Sequence, residues 1–463
     1  MLNDIYWSAF YEHLQCFDEV KEFIIWNKKI GVKIGILTDY ETEYQLIKLE
    51  KLGLLNYIDC IVTSEEVGIE KPSIQMFYTI LQKMNLNSTD VIMIGDSYEK
   101  DIQGAKNAKI VSYWFHTKNP EFENFTLLHS KFNSIYNELI IFKSISKYCG
   151  ERFDLAQAGG GNTSVKIGGL MFIKASGYNL TNVDEVNGYV VVDNTKLLND
   201  IYQGTIQDVT QYNFIGNKRG SIETFMHSIL KKYTIHLHPI QMNRILISSD
   251  AIQFIKKIYP GALIIEYLTP GIKVCNKIKE KYNNENVIFL LNHGIIVTSD
   301  DIDEVYRILN DVLIKFETYQ QINFDKYKFT NIISKSINSR FNISNVSYLC
   351  QDEVINKYFT QNMELFKQDS SFPDALIYCG VKNLFGLNNL DEYKKKYNDS
   401  PKIIIENSEI YINSHSLTKC KEIEDVLKSN LLILDSNFEK NYLSIDEICF
   451  LNNWDAEKYR KLL

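Results

Sequence analysis

The run Tyr233-Thr234-Ile235-His236-Leu237-His238-Pro239 constrains this chain more than any other stretch. It alternates like a strand, and strand side chains point to opposite faces with period two, so His236 and His238 share one face. A second apolar run, Ile288-Phe289-Leu290-Leu291, ends in Asn292-His293-Gly294 and sets a third imidazole at a strand end. Upstream, Ser221-Ile222-Glu223 opens a helix, where Glu223 adds a carboxylate as ligand or acid/base group. Three imidazoles with a position left for another group have the composition of a catalytic site for zinc or a similar divalent ion, not of a closed structural one. A lone histidine is more often a satisfied core residue. Here four of the eight histidines (His227, His236, His238, His293) fall in two short windows, which reverses that preference. His13, His116, His129 and His415 show no pattern and are expected in the surface or core.

A chain of 463 residues argues for two to four domains at about 100–200 residues each. Apolar residues make up 45%, enough for full cores. With 50 Lys+Arg against 58 Asp+Glu the net charge is −8, and no basic block occurs, which excludes nucleic acid as the main partner. No run approaches the roughly 18 apolar residues of a membrane span. Met1-Leu2-Asn3-Asp4 has neither the basic nor the apolar segment of a signal peptide, so a cytoplasmic protein without a membrane partner is expected. The eight cysteines are scattered singly and read as reduced thiols, mostly small core residues.

Pattern divides the chain in three. Residues 1–135 alternate strand and helix: strands at Val32–Leu37, Ile58–Val62, Val91–Ile94 and Ile110–Phe115, with helices at Trp7–Phe17, Glu19–Trp26, Glu41–Leu52, Ile74–Met84 and Asp101–Ala108. That order predicts a parallel sheet with crossover helices. Residues 140–330 mix strands (Met171–Lys174, Tyr189–Val192, Tyr233–His238, Val287–Leu291) with helices at Glu223–Lys231 and Asp303–Tyr319, around a Gly159-Gly160-Gly161 turn. Residues 345–463 read as a small α/β module, with strands at Ala375–Cys379 and Lys402–Ile405, a helix at Cys420–Ser429 and a helical tail from Ile445 to Arg460.

The middle segment resembles the class II aldolase/adducin family. The matching motifs, in the family's order, are Gly161-Asn162-Thr163-Ser164-Val165-Lys166, Lys174-Ala175-Ser176-Gly177, Ser221-Ile222-Glu223 with His227, His236-Leu237-His238-Pro239, Tyr267-Leu268-Thr269-Pro270-Gly271 and Asn292-His293-Gly294. The form of the first motif, with Phe372-Pro373-Asp374 and the tail Asn453-Trp454 through Arg460, is most similar to rhamnulose-phosphate aldolase/dehydrogenase type proteins. No GxGxxG follows, so the dehydrogenase activity of that type is expected to be absent. The resemblance implies that His236, His238 and His293 bind Zn²⁺, or Mn²⁺ or Co²⁺, which suit the same donors. It implies that Glu223 moves the proton at the carbon made nucleophilic, and that Asn162, Ser176, Gly177 and Ser221 hold a substrate phosphate. The chemistry is consistent: cleaving a C–C bond beside a ketone needs an enolate, and a metal at the ketone oxygen stabilises it. Glycine-rich turns and helix starts offer N–H groups to phosphate. The resemblance also implies a homo-oligomer, a tetramer in the family, with a tyrosine of a neighbouring subunit as proton donor.

The first segment resembles the haloacid dehalogenase superfamily. Ile36-Leu37-Thr38-Asp39 is similar to its second motif, Gly68-Ile69-Glu70-Lys71-Pro72-Ser73 to its third, and Ile94-Gly95-Asp96-Ser97 through Asp101 to its fourth. The implied roles are phosphoryl binding by Thr38, charge neutralisation by Lys71 and Mg²⁺ binding by Asp96 and Asp101. The family's nucleophilic Asp-x-Asp after an apolar strand has no counterpart upstream; Leu431-Leu432-Ile433-Leu434-Asp435-Ser436-Asn437 is a distant candidate without the second Asp. Without that carboxylate covalent phosphoryl transfer fails, so an inactive phosphatase-like domain is expected.

The expected fold class is therefore α/β: a Rossmannoid parallel-sheet domain, a class II aldolase-like α/β/α domain and a small α/β C-terminal module. The expected function is a metal-dependent lyase that reversibly cleaves a C–C bond in a small phosphorylated sugar or keto compound. Epimerase, dehydratase or decarboxylase chemistry on the same metal, a bifunctional phosphatase/aldolase and a non-enzymatic scaffold are the alternatives.

Overall fold

The computed structural model describes residues 6–7, 10–16, 18–29, 32–88, 91–114, 123–184, 187–215, 218–444, 446–448 and 451. His116, Phe115, Cys449 and the tail from Asn453 through Arg460 lie outside them. The chain falls into two compact units, one built mainly from residues 1–140 and the other mainly from residues 141–463. Among the described residues no helix is long and apolar enough to cross a membrane.

In the first unit β1 (Gly35–Thr38) pairs in parallel with β2 (Cys60–Thr63), and β3 (Ile92–Gly95) in parallel with β4 (Val111–Trp114). The helix Ile74–Met84 lies at its predicted bounds, its apolar stripe burying Met76, Phe77 and Leu81. Those residues share one core with Val62, Ala105, Ala108 and Ile110, and with the half-buried Leu37 and Met93. Both strand pairs therefore rest on the same apolar layer. The predicted helix Asp101–Ala108 is shorter: a π-turn spans Tyr98–Gln103, and only Gly104–Asn107 is α-helical. Gly104 permits this close packing, because a Cβ there would stand 2.4 Å from the Phe77 ring.

In the second unit one eight-stranded sheet carries the motifs. Its strands are β5 (Asn162–Ile167), β6 (Leu170–Lys174), β7 (Tyr189–Asp193), β8 (Asn213–Ile215), β9 (Tyr233–Leu237), β10 (Leu263–Ile265), β11 (Val287–Leu290) and β12 (Gly294–Ser299). The order is β10-β11-β12-β9-β5-β6-β7-β8. Neighbours from β11 through β7 run antiparallel, and β10 joins β11 in parallel. The inner strands are buried along their length, which explains their near-continuous apolar runs. The predicted helix Glu223–Lys231 contracts to Thr224–Ser228 before the chain turns into β9.

A four-stranded sheet follows, in the order β13 (Val346–Leu349), β16 (Glu409–Ser414), β15 (Ile403–Glu406), β14 (Leu384–Phe385). One sequence expectation fails here, and the distant nucleophile candidate is set aside. Ala375–Cys379 is not a strand but lies in the helix Pro373–Cys379. Proline at the first helical position supplies the right φ and needs no donor there, and the short apolar run is buried as a helix face. Leu431–Leu434 closes the 18-residue helix Leu417–Leu434, burying Leu427, Leu431 and Leu434. It is not a strand, so Asp435 is not a carboxylate at a strand end.

Candidate metal centre

The register of β9 fixes the site. His236 lies opposite Asn162 of β5 and Ile296 of β12, so it is held by ladders on both sides. Its Nδ1 lies 3.1 Å from the Ile295 carbonyl. Donation there fixes the tautomer and leaves the Nε2 lone pair facing the site. Leu237 points the other way, and His238 stands one residue past the end of β9. Asn292, with φ of 55°, turns the chain so that His293 returns to the same end of the sheet before β12 begins. Gly294 is required next: a Cβ there would stand 2.2 Å from the Leu237 carbonyl oxygen and 2.9 Å from the His238 ring.

The three imidazoles converge. His236 Nε2 lies 3.1 Å from His238 Nε2 and 3.3 Å from His293 Nε2, and one ligand atom of each residue lies within 4.8 Å of the others. Among the described residues this is the only group of three or more His, Cys, Asp or Glu side chains placed to share one ion. Glu223 Oε1 adds a fourth donor, 3.3 Å from His236 Nε2 and 3.2 Å from His293 Nε2. Three ring nitrogens and a carboxylate oxygen converging at such separations form a donor set that one cation would satisfy. Ligand atoms at about 2.0–2.1 Å from a common point lie about this far apart, so the residues fit a divalent ion.

The electrostatics agree. Burial, and then the neighbouring His236 and His293, push the His238 imidazole down to about 3, which keeps it neutral and available as a ligand. Burial raises the Glu223 carboxyl, but the His236 and His293 rings outweigh it and hold the group well below the usual carboxylate range. The second oxygen of Glu223 accepts a hydrogen bond from Asn162 Nδ2. Asn162 Oδ1 is buried without a partner, an acceptor left over at the site. His227, motif-matched but fully buried, instead meets Ser164 Oγ at 2.8 Å through Nδ1 and lies behind the cluster.

The four residues expected to hold phosphate divide. Asn162 and Ser221 are buried beside Glu223, and Ser221 Oγ accepts from the Glu223 N–H at 3.3 Å. Ser176 and Gly177 are exposed, Gly177 at a φ of 81°. The bridge Ala175–Gly220 and the bond from Ser176 N–H to the Arg219 carbonyl (2.9 Å) bring the two stretches to the same edge. Lys174, which the sequence does not single out as a site residue, braces this edge. Its ammonium, 2% exposed, donates to the carbonyls of Tyr178 (2.7 Å), Gly159 (3.1 Å) and Ala175 (3.4 Å), and burial lowers it to about 8. Its signals were a lysine ending an otherwise apolar strand and its place in the matching run Lys174-Ala175-Ser176-Gly177.

In the first unit Lys71 Nζ donates to Asp101 Oδ1 (2.6 Å) and to the Leu37 carbonyl (3.1 Å), next to Thr38 at the end of β1. Asp101 is buried and also accepts from Ser97 N–H, whereas Asp96 is exposed. Asp39 and Lys100, which carried no expected role, join the cluster: Asp39 accepts from Lys71 N–H (2.8 Å) and from Lys100 Nζ (3.0 Å). Among the described residues β1 pairs only with β2, and β3 only with β4, so no strand lies between the ends that Lys71 bridges.

Residues 145–313 match the model of the class II aldolase and adducin N-terminal domain, and residues 1–115 that of the haloacid dehalogenase-like hydrolases. A ribulose-1,5-bisphosphate 5-phosphatase of Halopiger xanaduensis is 42% identical over 104 residues, 22% of this chain and 44% of that protein. A pyrimidine 5'-nucleotidase of Escherichia coli is 41% identical over 95 residues, 20% of this chain and 42% of that protein. The chain thus spans less than half the length of these curated relatives. Among solved structures, the N-terminal class II aldolase domain of a conserved protein from Thermoplasma acidophilum is 24% identical. It covers 38% of this chain and 91% of its own, with a TM-score of 0.35.

Proposed function

Because the chain joins a haloacid dehalogenase-like domain to a class II aldolase-like domain, we propose that it is a metal-dependent lyase acting on a small phosphorylated sugar or keto compound. The observation that carries this reading is the convergence of His236, His238, His293 and Glu223 at one point. Those residues would hold Zn²⁺ or another divalent transition metal. When bound, the ion polarises a ketone oxygen and takes up the negative charge that C–C cleavage places there. Glu223, kept anionic and oriented by Asn162, accepts or returns the proton at the neighbouring carbon. Asn162, Ser176, Gly177 and Ser221 orient the phosphate, with Lys174 fixing the edge on which they stand. The site serves as part of a homo-oligomer.

The haloacid dehalogenase-like domain acts as an accessory without phosphatase turnover. What supports this is the absence, among the described residues, of a strand between β1 and β3 that ends in a carboxylate. Lys71, Thr38, Asp96 and Asp101 would then bind phosphate and Mg²⁺ without a nucleophile.

The test is a screen of phosphorylated ketoses and ketoacids for aldehyde release by zinc-loaded protein. Aldehyde release that disappears with chelator is the expected result. Release of an epimer, of water or of carbon dioxide from the same substrates moves the reaction to the epimerase, dehydratase or decarboxylase alternative. A chain that binds no metal and turns over nothing refutes the enzyme reading in favour of a scaffold.

A further inference from the structure

The three imidazoles are not held alike. His236 is fixed by ladders on both flanks, and His293 by the turn into β12. His238 lies beyond β9, and its N–H donates instead to the Leu155 carbonyl at 3.1 Å. Two residues on, the Ile240 N–H donates to the Asp154 carbonyl at 2.9 Å. The backbone that aims the His238 ring therefore hangs on residues 154–155, in a turn closed by bonds from the Leu155 and Ala156 N–H groups to the Arg152 carbonyl.

That turn is held by buried ions. Arg152 is 1% exposed and Asp154 fully buried, and they meet fork on fork: Nε to Oδ1 at 3.1 Å and Nη2 to Oδ2 at 2.6 Å. Asp154 Oδ2 also accepts from Gln241 Nε2 at 3.2 Å, and the same amide reaches Glu317 Oε1 at 3.2 Å. Glu317 is neutralised by Lys328 at 2.5 Å. Gln241 belongs to the helix Ile240–Leu246, which starts directly after His238-Pro239. One hub thus grips the ligand from both ends, through the turn that receives its N–H and through the helix that follows it.

Buried ion pairs commonly stabilise no more than apolar side chains of the same volume would, so stability alone is a poor account of this one. A bidentate pair does fix direction, and metal sites hold their ligands to within about 0.2 Å. We infer that Arg152, Asp154 and Gln241 are positioning residues for the third metal ligand, setting where His238 Nε2 stands relative to His236 and His293. The inference rests on the metal-site reading and is separable from it.

The experiment titrates the full chain with Co²⁺ and records its visible absorption, whose band position and intensity report ligand geometry. The unaltered chain takes up Co²⁺ at the three imidazoles. In Asp154→Asn and Gln241→Met, affinity falls about 10- to 100-fold and the band shifts, while far-ultraviolet circular dichroism stays the same. Arg152→Lys, which keeps the charge but loses the fork, behaves likewise. Folded variants with unchanged affinity and band shape overturn the inference. Where Asp154→Asn fails to fold, Gln241→Met, which removes no charge, decides. An unaltered chain that takes no Co²⁺ overturns the metal reading and this inference with it, whereas unchanged variants of a metal-binding chain overturn the positioning role alone.

Discussion

Replacing Gly294 by alanine tests the metal centre without removing a ligand. The new Cβ would stand 2.2 Å from the Leu237 carbonyl oxygen and 2.9 Å from Cδ2 of His238, where real Cβ atoms essentially never come within 3.0 Å. The difference, 3.0 − 2.2 = 0.8 Å, is the least by which the start of β12 and the end of β9 must separate. The obstacle is backbone, so no rotamer relieves it. His293 precedes Gly294, and His238 follows Leu237, so the shift falls on two of the three ligands. Metal sites tolerate about 0.2 Å, so the displacement exceeds the tolerance roughly fourfold. Overpacking costs about 1–3 kcal/mol, which leaves the fold standing. The assay is metal content by elemental analysis after dialysis, with melting curves in the presence and absence of chelator. The unaltered chain should hold metal and lose stability with chelator, by about 2.7 kcal/mol where free metal was at 100 times its Kd. Gly294→Ala should fold, hold no metal and melt at the same temperature with or without chelator. Unaltered metal content and affinity in Gly294→Ala would falsify the reasoning.

Three further outcomes are expected. His236→Ala should lose bound metal and turnover together, and turnover surviving in a metal-free variant would refute the assigned role. A phosphate ester assay with Mg²⁺ should show no turnover in the unaltered chain; robust hydrolysis abolished by Asp96→Asn would show the first domain to be an active phosphatase. His227 is fully buried, and burial above all pushes its imidazole down to about 3 from 6.5. Because the folded state has the lower value, the unfolded chain binds the extra proton, so stability is complete above about pH 6.5 and declines as pH falls toward 3. At about 1.4 kcal/mol per unit, this residue should cost about 2 kcal/mol at pH 5 relative to pH 7. His227→Gln should flatten that decline in urea unfolding, and an unchanged slope would count against it.

The helix Ile74–Met84 was legible to the residue because its apolar positions recur with helical period and all face one core. Ala375–Cys379 was not, because a short apolar run reads alike in a buried strand and in a buried helix. The lengths of the Gly104–Asn107 and Thr224–Ser228 helices depended on contacts with other parts of the chain, which local pattern does not contain.

For the site, the sequence alone determined which groups are available: two imidazoles at a spacing that strand geometry places on one face, a third at a strand end beside a glycine, and a carboxylate at a helix start. Those are local properties, set by the two-residue period of an extended backbone. Only the tertiary structure decided that they meet, through the order β11-β12-β9-β5 and the register of its strands. It alone also brought Gln241 to Asp154 across 87 residues of chain and laid the Asp154 turn under His238. A buried charge carries no periodic signal, and its partner is whichever opposite charge the fold brings within reach.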